Sequence, residues 1–411
     1  MTVARPGMSR GLVALFALAT GQAVASNYLA QPLLDVISHE FGISSGVAGL
    51  IVTAAQVGYA AGLILMLPLG DLLERRRLIT VLAAITAAGL AAAAFSPTVA
   101  VFMPAIALVG FTSVMAQILV PFAATLADPA VRGRVVGTVM SGLLLGILLA
   151  RTASGLVADV AGWRTVYVVA AVLMVAQTVA LWSVLPTYRA DVHLTYGRLL
   201  GTVFVIARRE PVLRLRAVFG AVSFATFSVL WTTLAFLLSG PPYNYGEATI
   251  GLFGLVGAAG ALTATVVGRF TDRGWARGLT GISALLLLAG FGLLWRGGVS
   301  LPALVAGVVV LDVGSNGVHI SNQSEIYRLR PEARSRVNAF YMTSCFVGAA
   351  AGSAVAAFVY ERWSWDGVCV LGAAISLGGL ALWAFGPRHS AAAQDAAQAV
   401  ADQAAADQSA H

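Results

Sequence analysis

Apolar stretches of about 20 residues recur along the whole chain, separated by short gaps that gather Gly, Pro and Arg. At about 1.5 Å of rise per residue, a helix of that length crosses the ~30 Å hydrocarbon layer of a bilayer. The pattern predicts twelve spans, at 11–34, 46–69, 78–96, 98–125, 135–159, 163–186, 216–239, 248–270, 278–296, 301–324, 335–360 and 366–386. The expected fold is an all-α membrane protein. Its twelve transmembrane helices are expected to form two pseudo-symmetric six-helix bundles.

Composition agrees with this reading and narrows it. Of 411 residues, 59% are hydrophobic and only 10% charged, with a mean hydropathy of +0.85. Soluble domains carry about 25% charged residues, so a water-soluble enzyme of this length is excluded. All 25 basic residues are Arg, and the net charge is +7. They sit in the gaps between apolar stretches instead of forming a soluble basic face, so they set topology and predict no nucleic-acid partner. With the N-terminus inside, 21 arginines fall on the inner side and three, Arg164, Arg296 and Arg362, on the outer. Arg151 is left within a span. This predicts a multi-pass protein of the plasma (inner) membrane with both termini cytoplasmic, surrounded by lipid and monomeric.

Arg5, Arg10 and the run ending Ala23-Val24-Ala25 imitate a cleavable leader, but removal would leave eleven spans and no symmetry. The domain order read from the chain is a cytoplasmic N-terminus (1–10), a first bundle (11–186), a central cytoplasmic loop (187–215), a second bundle (216–386) and a disordered tail (387–411).

The two halves repeat each other. Pro129-Ala-Val-Arg-Gly-Arg-Val recurs 202 residues later as Pro331-Glu-Ala-Arg-Ser-Arg-Val, and Met140, Gly146 and Trp163 match Met342, Gly348 and Trp365 at the same offset. Asp71 matches Asp272. Duplicated halves around a central route are a common transporter plan. Small residues at i, i+4 (Gly58 and Gly62, Gly142 and Gly146, Gly348 and Gly352) and the series Gly251, Gly254, Gly257, Gly260 predict close helix contacts.

Pro68-Leu-Gly-Asp71-Leu-Leu-Glu-Arg75-Arg76-Arg77 and its repeat Gly268-Arg-Phe-Thr-Asp272-Arg273-Gly-Trp-Ala-Arg277, together with the 6+6 plan, resemble the signature of the major facilitator superfamily. Asn27-Tyr-Leu-Ala-Gln-Pro32, Ser321-Asn-Gln323 and Arg334-Ser-Arg-Val-Asn338 are similar to the bacterial proton-coupled drug and metabolite efflux branch. The fourth-span Arg and fifth-span Gly-Pro of antiporters are replaced by Gly110-Phe-Thr-Ser-Val-Met-Ala-Gln117 and Gly146-Ile-Leu-Leu-Ala-Arg151. The resemblance implies alternating access, with spans 1, 4, 7 and 10 lining the cavity and the small-residue faces of spans 2, 5, 8 and 11 joining the halves. Export of a small organic molecule against protons is the leading expectation. Uptake with protons is the alternative, and a non-transporting receptor is a rival of another class.

An ionisable group near the bilayer midplane costs at least about 2.5–3.5 kcal/mol, so it normally faces the bundle interior. Asp312 lies about 16 Å, and Arg151 about 12 Å, from the outer end of its span. They are expected to pair across the cavity and, with His319 two turns beyond Asp312, to couple protons. Asn27, Tyr28, Gln31, Gln117, Trp231 and Asn316 are expected to line the substrate cavity. Asp71, Arg75, Arg76, Asp272, Arg273 and Arg277 are expected to form a cytoplasmic gate. No phosphate-cradling loop, metal spacing or catalytic nucleophile is present, so no cofactor, metal or enzymatic activity is expected.

Overall fold

A computed structural model describes residues 8–189, 195–257, 275–329 and 333–386. Among them no strand occurs. The helices run α1 (Arg10–Ala25), α2 (Leu34–Phe41), α3 (Ser45–Leu65), α4 (Leu69–Leu72), α5 (Arg75–Ala94), α6 (Val99–Ser113), α7 (Met115–Leu126), α8 (Arg132–Ala161) and α9 (Trp163–Val184). They continue as α10 (Tyr196–Arg209), α11 (Pro211–Ser239), α12 (Glu247–Val256), α13 (Ala276–Arg296), α14 (Leu301–Leu329) and α15 (Arg334–Phe385). Nine helical segments among the described residues are long and apolar enough to cross a bilayer. One of these, α15, bends at Ser364 (φ 51°) into two arms. Two shorter apolar helices, α1 and α12, lie in the spans predicted at 11–34 and 248–270, and residues 258–270 of the latter lie outside the described residues.

Several predicted elements differ in form. Residues 11–34 are not one helix, because α1 stops at Ala25 and the chain passes through a 3-10 turn (Gln31–Leu33) into α2. Pro32 lacks the N–H that would continue the ladder. The central segment read as a loop contains α10, whose Leu199, Val203 and Ala207 are buried at helical spacing while Arg208 and Arg209 are exposed. The span at 98–125 breaks at Val114, between helices that carry Pro104 and Pro121. The expected tail, 387–411, lies outside the described residues.

Three apolar cores form. One gathers buried residues from Phe16 to Leu185 with Phe236, a second residues from Phe219 to Cys369, and a third joins the halves through Tyr59, Leu63 and Val114 with Tyr341, Cys345 and Phe346. Small residues hold the helices within each core close together, and here the expectation from spacing is corrected. Gly142 and Gly146 of α8 meet the backbone of Ala17 and Gly21 in α1. Gly348 and Gly352 of α15 meet Ala221 and Ala225 of α11 in the same manner, and Gly58 and Gly62 meet Ala107 and Phe111. Each of these pairs joins helices of one half, not the two halves to each other. A side chain there would push two backbones apart, which costs about 1–3 kcal/mol. Gly146→Leu is expected to lower the thermal unfolding midpoint of the detergent-solubilised protein, and an unchanged midpoint would refute the packing role.

The halves meet along the helices of spans 2, 5, 8 and 11, as the resemblance implies, but of the named glycines it is Gly251 and Gly254 that lie on this seam. Gly155 of α8 abuts Glu247 and Gly251 of α12, and Gly254 lies against Leu148 and Arg151. Gly46 and Gly49 of α3 lie against Phe358 and Ala357 of α15. Farther along that seam Thr53 and Ser353 share a hydrogen bond (2.8 Å), Gln56 donates to Ser228 (3.0 Å), and Tyr59 stacks on Phe346.

Candidate functional site

The break between α1 and α2 builds one wall of the central site. Where α1 unwinds, the carbonyl of Leu29 accepts from Ser154 of α8 (2.8 Å), so a group freed from helix pairing is satisfied by a neighbouring span. One turn earlier on α8, Arg151 reaches the same break. Its Nε donates to Gln31 Oε1 at 2.7 Å. Its guanidinium lies 4.0 Å from the ring centre of Trp231, 5.0 Å from that of Tyr28 and 5.5 Å from that of Phe227. Arg151 is only 2% exposed. A desolvated cation against aromatic faces gains about 2 kcal/mol or more, which offsets part of its burial.

Asp312 of α14 stands on the far side of Trp231. It is 3% exposed, and its Oδ1 accepts from Trp231 Nε1 at 3.3 Å. Its Oδ2 lies against Gly257, where a Cβ would crowd it at 2.5 Å. The expected direct ion pair of Arg151 and Asp312 is therefore corrected. The charges lie close enough to interact through space, but the contact runs through Trp231, which stacks on one and donates to the other. Arg151 and Gln31 belong to the first half, Trp231 and Asp312 to the second. Arg151, Gln31, Pro32, Trp231, Leu234 and Ile250 border a narrow pocket between them.

The other expected lining residues divide. Tyr28 and Gln31 join the site as described. Asn27 is buried and its Oδ1 has no partner. Gln117 lies apart, donating to Tyr59 (3.3 Å) beside the Tyr59–Phe346 stack. Asn316 donates to the main-chain oxygen of Asp312 (2.9 Å), and His319 shares a hydrogen bond with Tyr341 (3.1 Å). His319 is thus not joined to Asp312, because each polar side chain on that face is held by a different partner.

The sequence supplies the decisive observation. Residues 16–328 match the Major Facilitator Superfamily. The chain belongs to this superfamily. It is 52% identical over 383 residues to the uncharacterized transporter YgaY of Escherichia coli O157:H7, covering 93% of this chain and 97% of that protein. In fold it is similar to a mutant form of the nucleoside transporter NupG, with a TM-score of 0.74 at 14% identity, covering 90% of this chain and 98% of that one. It is also similar to a bacterial homologue of the human lysosomal transporter Spinster, with a TM-score of 0.66 at 14% identity over 92% and 95%. The chain is a multi-pass membrane protein of a family of transporters.

The superfamily signature is visible in its first copy. Arg75 pairs with Asp71 (3.5 Å), donates from Nε to the Gly70 carbonyl (3.0 Å) and to Thr125 (3.4 Å), and stacks on Phe122 and Tyr188. Glu74 caps α5 through the amides of Arg76 and Arg77. Arg76 stacks on Trp182. All of these contacts stay within the first half. Arg277 is held by Trp383, whose carbonyl accepts at 2.9 Å. Asp272 and Arg273 lie outside the described residues. A crevice between the halves nevertheless brings Asp71 near Arg336, together with Pro68, Leu199 and Ser335.

Two features escaped the sequence reading. Glu361 Oε2 accepts from Ser44 (2.9 Å) and from the Gly46 amide (3.0 Å), placing a carboxylate of the second half on the N-terminus of α3. That end of a helix carries partial positive charge, and a carboxylate on it is worth about 0.3–1 kcal/mol. On the orientation expected from the arginine asymmetry this end faces outward, and a latch role for Glu361 there is testable. Glu361→Gln is expected to raise outward opening roughly two- to fivefold. The readout is the labelling rate of Thr53→Cys by an impermeant thiol reagent, with Cys345 and Cys369 replaced by Ala. An unchanged rate would remove Glu361 from gating.

The second feature is a buried ion pair in the second half. Arg216 of α11, one of the arginines assigned from sequence to the inner side, lies 3.7 Å from Glu325 of α14, both almost fully buried. Arg216 also donates to Thr280 (3.0 Å) and Asn322 (3.4 Å), and Asn322 donates back to the Arg216 carbonyl and to Tyr341. Glu325 is thus a second buried acid beside Asp312.

Proposed function

We propose that the chain is a proton-coupled secondary active transporter of a small organic molecule, working by alternating access in the plasma membrane with both termini cytoplasmic. The observation that carries this reading is the Arg151–Trp231–Asp312 chain. It joins the two halves through buried groups that separate if the halves rock apart. A carboxylate whose cationic neighbour moves away is easier to protonate, which is the requirement for a coupling site.

Export by exchange with protons follows from the resemblance to the efflux branch. Uptake together with protons is favoured by a specific observation: Arg151 Nη2 is buried without a hydrogen-bond partner. A site with a free guanidinium nitrogen suits a substrate that binds alongside a protonated Asp312, not in its place.

Proteoliposomes with an imposed pH gradient test the reading. Labelled compounds are expected to accumulate against their own gradient, and the direction of accompanying proton movement separates exchange from cotransport. If no compound moves faster when the gradient is imposed, proton coupling is refuted.

A further inference from the structure

We infer that the central site takes small organic anions, with Arg151 Nη2 as the donor to the anionic head and the proton on Asp312 bound in the same step. This rests on the reading of Arg151–Trp231–Asp312 as the substrate and coupling site.

Three observations carry it. First, the Arg151 fork is only half used. Nε is committed to Gln31, whereas Nη2 is buried with no partner. Leaving such a donor unmatched costs about 1–3 kcal/mol, and a carboxylate or sulfonate is the acceptor that matches guanidinium geometry. Second, Arg151 borders the pocket, whose other walls include Pro32, Trp231, Leu234 and Ile250. In this conformation the space holds about one water, so the apolar walls must part to take a hydrophobic or aromatic body, and the single cation suits one anionic head. Third, charge balance links the anion to the proton. Among the described residues, the titratable groups facing Arg151 are Tyr28, within the break in the first span, and Asp312 of α14. From α11 the neighbours are Phe227 and Trp231, and from α12 Gly251 and Gly254. With Asp312 ionised the charges of Arg151 and Asp312 cancel. With Asp312 protonated the site carries +1 and attracts an anion.

Anion and proton therefore favour each other's binding, and the reciprocity is thermodynamic. The translocated unit is one anion and one proton, with no net charge.

The test is equilibrium dialysis of labelled benzoate with the purified full-length protein, competed by benzenesulfonate, by benzamide as the neutral isostere and by benzyltrimethylammonium as the cation. Benzoate is expected to bind about tenfold or more tightly than benzamide, the least that one charge-assisted hydrogen bond supplies. Its affinity should rise as pH falls from about 8 to about 6, where benzoate itself stays ionised. In Asp312→Asn that pH dependence should vanish. In Arg151→Gln the preference for benzoate over benzamide should be lost.

The wild-type comparison of charged and neutral probes stands even if Arg151→Gln does not fold. Equal binding of benzamide, preference for the cation, or absence of benzoate binding each overturns the anionic class. Proton-driven flux with charge-indifferent binding overturns this inference alone. Selective benzoate binding without proton-driven flux supports the anion site and overturns the transport reading instead.

Discussion

Replacing Asp312 with Asn is expected to abolish pH-gradient-driven accumulation while leaving exchange down a substrate gradient in place. Asn keeps an oxygen that can accept from Trp231 Nε1 and occupies nearly the same volume beside Gly257, so the packing of α14 against α11 should survive. What it removes is the carboxylate facing Arg151, the group there that can alternate between charged and neutral. Wild-type protein coupled to one proton can hold an accumulation of up to about tenfold per unit of pH difference, since 1.4 kcal/mol is a factor of ten. The variant should hold none, reaching equal concentrations on both sides. Proteoliposome flux with and without the gradient measures both quantities together. Full accumulation by Asp312→Asn would make Asp312 structural. Loss of exchange as well as accumulation would mean that the substitution destroyed the site and not its coupling.

The spans were legible because hydropathy is a property of composition over about 20 residues, and no tertiary information is needed to see it. Which helices touch was not. The spacing of Gly142 and Gly146 says that a backbone comes close, but the same spacing serves α1 as well as a partner in the other half, and the structure chose α1. Asp312 and Arg151 stood out because each interrupts an apolar run. Arg216 did not, because Arg208, Arg209 and Arg214 precede it and the cluster reads as an inner-side gap. Glu325 was lost for a related reason. Ser321-Asn-Gln-Ser324 ends the apolar window before the helix ends at Leu329. Glu361 has no local signal, since its role depends on the N-terminus of α3, 315 residues away. The helix α10 did carry a signal, in Leu199, Val203 and Ala207 at i, i+4, i+8, masked by the arginines around it.

The buried pair in the second half leads to the largest expected effect on stability. Arg216 and Glu325 are 3.7 Å apart with almost no exposure, and Arg216 shares hydrogen bonds with Thr280 and Asn322. Removing one member of such a pair leaves an uncompensated buried charge and typically costs about 3–5 kcal/mol. Replacing both by apolar residues of similar volume removes the desolvation penalty along with the attraction, and is often neutral. Arg216→Met alone should therefore be strongly destabilised, Glu325→Met likewise, and the double variant more stable than either single one. Unfolding titrations in detergent micelles, arranged as a double-mutant cycle, give the coupling directly. A double variant destabilised by the sum of the two single effects would mean that the two charges do not interact. Then Arg216 would be held by Thr280 and Asn322 alone. If the cycle instead returns a coupling of several kcal/mol, α11 and α14 are pinned together at this point. Rocking must then carry them as one body, with the moving seam formed by the contacts of α3 and α8 with α11, α12 and α15.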